Sequence, residues 1–76
     1  MTWRLVNANR WSLHRRNYTL NVEHIAFDVG PDIYMVEAEW VTGAIVPIAQ
    51  VPTLEDAQAA AIRWADAYDA ALDKGR

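Results

Sequence analysis

The chain has 76 residues, 53% of them hydrophobic, with four tryptophans, three tyrosines and no cysteine. That length holds one domain and one core, the apolar share argues against a disordered chain, and the missing cysteines exclude disulfides and thiolate metal sites. Net charge is −3, with Arg4, Arg10, Arg15 and Arg16 early in the chain and most carboxylates after Asp28, a segregation that predicts solvated faces of opposite sign.

Trp3 and Leu5 alternate with polar neighbours, which predicts a short strand over residues 2–6, and Asn7-Ala8-Asn9 has turn composition. Trp11-Ser12-Leu13-His14 alternates again, predicting a strand over 10–15 that ends in the tight turn Arg15-Arg16-Asn17. Residues 18–27 form the clearest strand: Tyr18, Leu20 and Val22 alternate with Thr19, Asn21 and Glu23. Asp28-Val29-Gly30-Pro31-Asp32 reads as a turn. A strand over 33–41 follows, with Glu37 and Glu39 marking its wet face. Thr42-Gly43 reverses the chain into a strand over 44–48, which Pro47 either confines to a sheet edge or ends.

Residues 54–73 are a helix. Thr53 and Asp56 have the spacing of a capping box, and Glu55 and Asp56 favour the positive end of the helix dipole. Leu54, Ala57, Ala61, Trp64, Ala65, Tyr68, Ala71 and Leu72 fall on one side at the helical period. Lys74 suits the negative end, and Gly75 suits the position just past it. The expectation is a single α+β domain over 1–76. It has two layers: a three- to four-stranded antiparallel meander and one C-terminal helix packed across one face. Which sheet face carries Trp3, Trp11 and Trp40 is left open, because a one-residue slip in register inverts every side chain.

Little in the sequence points to catalysis. His14 and His24 lack metal-ligand spacing, Ser12 has no nucleophile context, and the three glycines are scattered, so neither a metal nor a cofactor is expected. Two surfaces remain. Glu55, Asp66, Asp69 and Asp73 share an exposed helix flank with Ile62, an apolar side chain off the core stripe that can anchor a partner. Arg10, Arg15 and Arg16, with Trp11 and His14, form the one basic and aromatic cluster, in which arginines would meet phosphates and Trp11 would stack on bases. No stretch approaches the roughly 20 apolar residues of a membrane span. No basic-then-apolar segment opens the chain, so a cytoplasmic protein is expected.

The strands followed by PTLEDAQAAAIRWADA resemble, in order of elements, small β-β-β-α proteins of phages and bacteria. These include anti-CRISPR inhibitors of bacterial defence complexes and antitoxin-like proteins. The resemblance implies a non-enzymatic inhibitor whose partner is a subunit of a nucleic-acid-handling complex. The order is also similar to that of double-stranded-RNA-binding domains. Their first helix is absent here, however, and Glu55 and Asp56 stand where their last helix begins with lysines. A protein-binding module is therefore the first expectation, ahead of a nucleic-acid binder acting through Arg10, Arg15 and Arg16, and of a structural homodimer.

Overall fold

A computed structural model describes residues 2–74. Five strands, β1 (Arg4–Asn7), β2 (Arg10–His14), β3 (Tyr18–Ile25), β4 (Ile33–Trp40) and β5 (Ile45–Val51), precede one helix, α1 (Leu54–Lys74). The strands form one antiparallel sheet in the order β1-β2-β3-β4-β5. The α+β meander is as the alternation predicts, but it has five strands rather than three or four. The short segment before Asn7-Ala8-Asn9 does pair, held as a hairpin by an Asn7 side chain that accepts from the Asn9 N–H at 2.8 Å.

The register sorts the side chains into two faces. Leu13 faces Leu20 and Ala38 across β2, β3 and β4, and Trp11 faces Val22 and Val36. Against this floor lie Ala57, Ala61 and Ala65, each fully buried. An alanine every four residues lets the helix backbone approach the sheet, and α1 comes to lie over β3, β4 and β5. Thr53 starts the helix: its hydroxyl accepts from the Asp56 N–H at 3.1 Å, and its carbonyl accepts from the Ala57 N–H at 3.0 Å. Beyond the sheet the stripe has nothing to cover it, so Ala71 and Leu72 are exposed rather than buried. Gly75 lies outside the described residues.

Aromatic side chains fill the space the alanines leave at one end. Trp64 and Tyr68 stack at 5.0 Å with 8° between their planes. Tyr18 meets both edge-on, at 5.6 and 5.4 Å and 87°, and Trp40 closes the group 5.4 Å from Tyr18. Edge-to-face contacts set the positive ring edge against the negative face, contributing about 0.5–1.5 kcal/mol per pair beyond area burial. Trp11 and Trp40 thus share the helix side, and Trp3 packs against the same core. Met35, in register with Glu23 and Arg10, lies on the other face, away from Trp11 and Trp40.

Two backbone features complete the frame. The β4–β5 reversal is closed by the Gly43 N–H donating to the Trp40 carbonyl at 2.9 Å, with Gly43 at φ 94°, a left-handed geometry that glycine adopts without steric cost. In β5, Val36 faces Ala49 but Glu37 faces Pro47, leaving Ile48 as the extra residue of a bulge. Pro47 therefore does not end the strand, which runs on to Val51 at the sheet edge. The radius of gyration is 13.0 Å, against roughly 11 Å for a compact domain of this length. One sheet and one helix make a slab with one broad side uncovered.

Candidate partner-binding surface

In a meander the β2–β3 and β4–β5 turns fall at one end, and α1, which starts at the far end, brings its last turns to the same place. This juxtaposition brings together residues that are at least 51 apart in sequence. Arg15 reaches the helix with Nη2 at 3.1 Å from Asp66 Oδ1 and Nη1 at 3.5 Å from Asp69 Oδ2. The Tyr18 hydroxyl donates to Asp69 Oδ1 at 2.9 Å. Burial in the aromatic group is the main reason the Tyr18 phenol is pushed well above its ordinary range. The hydrogen bond to Asp69 and the charge of that carboxylate add to the effect, while Arg15 opposes it.

The acidic flank is accordingly not a free ridge. Glu55 and Asp73 are exposed, but Asp66 and Asp69 are engaged by Arg15. Ile62 is not an exposed anchor: it is half-buried and packs against the core. Ile62 stands about one turn before Asp66, on the side of α1 that Arg15 meets, and there it joins the edge of the core. Any contact this flank offers is electrostatic, and half of it is already neutralised.

The basic cluster divides across the sheet. Arg10 lies on the uncovered face, 3.6 Å from Glu23 and 3.9 Å from Glu37. Trp11 faces the helix side, with its ring 6.2 Å from Tyr34, and cannot stack on a base beside Arg10. His14 Nδ1 is 3.1 Å from Thr19 Oγ1. The side chain of Arg15 is only 13% exposed, and Arg16 alone of the arginines at the turn stands in solvent unpaired among the described residues. His24, the other imidazole, stacks on Tyr34 at 4.7 Å, and its Nε2 lies 3.1 Å from Asp32 Oδ2 without the alignment of a hydrogen bond.

Two shallow depressions adjoin at this end and share His14, Arg15, Arg16 and Asn17. One, of about 410 Å³, is bordered by Asp69, Leu72 and Asp73 of the helix. The other, of about 510 Å³, is bordered by Glu39, Trp40, Val41 and Gly43. Val41 at the tip is 96% exposed, and Leu72 is 41% exposed.

A further arrangement had no sequence motif. On the uncovered sheet face Ser12 and Asn21 are buried, Asn21 to 3% exposure. Ser12 Oγ donates to Asn21 Oδ1 at 2.7 Å, and Asn21 Nδ2 donates to Glu39 Oε1 at 3.1 Å. The alternation places all three on the wet face, but their lateral adjacency depends on strand pairing, which the sequence leaves open. Among the described residues no three metal-ligating side chains come together, and no helix is long and apolar enough to cross a membrane. Set against protein-family models, curated proteins and solved structures, the chain finds no match.

Proposed function

We propose that this chain is a small, non-enzymatic protein-binding module that engages its partner at the end where the two turns meet the last turns of α1. The observation that carries this reading is the pair of adjoining depressions around Arg16 and Asn17, the second of which has Tyr18 and Trp40 of the aromatic group as its floor. Arginine and aromatic side chains dominate protein interfaces energetically, and a preorganised floor reduces the ordering cost of binding. The Arg15 ion pairs and the edge-to-face rings hold this floor in place before a partner arrives. Val41 and Leu72 supply exposed apolar contact on either side of the cationic turn.

On the resemblance of the strands-then-helix order to small phage-encoded inhibitors of bacterial defence complexes, the partner we infer is a subunit of a nucleic-acid-handling complex, met in the cytoplasm. Direct nucleic-acid binding is disfavoured because Arg10 and Arg15 spend their charge on Glu23, Glu37, Asp66 and Asp69. The test is co-purification with three baits: wild type, the end variant Arg16→Glu/Val41→Asp, and the far-end control Val29→Asp, in which another highly exposed valine is changed. A partner held by wild type and control but lost from the end variant is the expected result. Equal retention by all three baits, or none by wild type, would overturn the proposal.

A further inference from the structure

Of the carboxylates on the uncovered sheet face, Glu23 and Glu37 share Arg10. Glu39 has no ion pair among the described residues, yet it is half-buried. Its Oε1 is fixed by the Asn21 amide, which is itself fixed by the Ser12 hydroxyl. Burying two polar side chains on an open sheet face costs free energy unless every bond is made, and here the bonds end on one charged oxygen. The usual occupant of such a wet face is a loose, solvated side chain; a carboxylate oriented by a buried relay is prepared for a specific cation.

Around Glu39 the surface is apolar on one side and polar on the other. Its neighbour across the strands is Ile45 on β5 and Thr19 on β3. Ile45 also borders a third depression, of about 440 Å³, lined by Met35, Pro47 and Ile48, where the β5 bulge opens the sheet edge. Glu39 itself lines the depression that reaches Val41 and the Arg15–Asn17 turn. It thus stands between the binding end and an apolar groove whose one charged lining residue is Glu37.

We infer that Glu39 is the specificity carboxylate of this protein, receiving an arginine or lysine side chain of the partner while an adjacent apolar side chain of the partner settles on Ile45 and Met35. The inference rests on the protein-binding reading above and gives the partner its chemistry: a basic residue flanked by apolar ones. Charge complementarity supports that choice, since the chain is net acidic and Glu39 is a preoriented carboxylate without a cation of its own among the described residues.

The test uses the full chain, isotopically labelled, and two capped tripeptide probes: valine-arginine-valine and valine-citrulline-valine, the second a neutral isostere of the first. The arginine probe should shift the Asn21 side-chain amide and the Ile45 backbone amide, and should bind about tenfold tighter than the citrulline probe. Glu39→Gln should keep the remaining spectrum and reduce that ratio to about one. Equal affinities in wild type, a ratio unchanged in Glu39→Gln, shifts centred on Asp66, Asp69 and Asp73, or no shift up to the solubility of the probe would each overturn the inference. An unchanged ratio in Glu39→Gln together with partner loss from Arg16→Glu/Val41→Asp would remove Glu39 from the account and leave the binding end standing.

Discussion

Tyr18 shows how one residue can join the core to the surface chemistry. Its ring is the meeting point of Trp40, Trp64 and Tyr68, and its hydroxyl holds Asp69. Because folding raises the phenol's pKa above its ordinary value of about 10, the folded state favours the protonated form. The corresponding stability is fully present below that value. It is lost as pH rises, because the unfolded chain gives up the proton first. Stability measured by denaturant titration should therefore fall above about pH 10 more steeply in wild type than in Tyr18→Phe. Parallel pH profiles would show that the hydroxyl is not held as described. Ala61 makes a second argument at this scale. With its Cβ fully enclosed between helix and sheet, Ala61→Leu should cost about 1–3 kcal/mol through overpacking. The same change at the exposed Ala67 should be close to neutral in the same titration. Ile62→Glu, a silent substitution had Ile62 been solvent-exposed, should now destabilise the fold measurably.

Among the elements, the helix was the most legible, and the reason is periodicity. A stripe of alanines four apart, a threonine cap and acidic residues in the first turn specify both the helix and the face it buries. The strands were legible as alternation, but their partners were not. Which carboxylate Arg15 would find, and that Ser12, Asn21 and Glu39 would sit side by side, are facts of register and of where α1 crosses the sheet. Ile62 departs from its expected exposure for the same reason: its helical angle sets it off the alanine stripe, yet in the fold it packs against the core. The turns can be tested directly. Gly43 has open space around the position of an added Cβ, so Gly43→Ala introduces backbone strain alone, and the left-handed geometry should cost about 1–2 kcal/mol. Thr53→Ala should cost on the order of 1 kcal/mol by removing the helix cap. Thermal melts of the two single variants and the double variant should show additive losses, because the sites lie at opposite ends of the slab. A clear excess in the double variant would mean that the turn and the helix start are coupled.

For the molecule as a whole, the lopsided cover of the sheet sets the order in which it opens. The helix rests on β3, β4 and β5, and Leu20, Val22, Val36 and Ala38 lie beneath it with almost no exposure. β1 pairs with β2 alone, all four of its residues are exposed, and its pairing is interrupted by a register shift between Leu5 and Asn7. Regions with few buried contacts open with a small fraction of the global free energy, whereas core strands exchange only when the whole domain unfolds. Native-state hydrogen exchange at increasing denaturant should therefore show the Arg4–Asn7 amides losing protection first, by an opening nearly independent of denaturant. Paired amides of Leu20, Val22, Val36 and Ala38 should exchange with the denaturant dependence of global unfolding. The Arg15 ion pairs with Asp66 and Asp69 link the β2–β3 turn to the helix, so the β2 amides nearest that turn should follow the core rather than β1. Replacing Arg15 with glutamine should move those amides toward the early-opening group while leaving the β3 and β4 amides unchanged. Uniform protection across all five strands would mean that the sheet, and not its contact with the helix, is the unit of stability. The end where the turns meet the helix would then owe its rigidity to something other than the link between turn and helix.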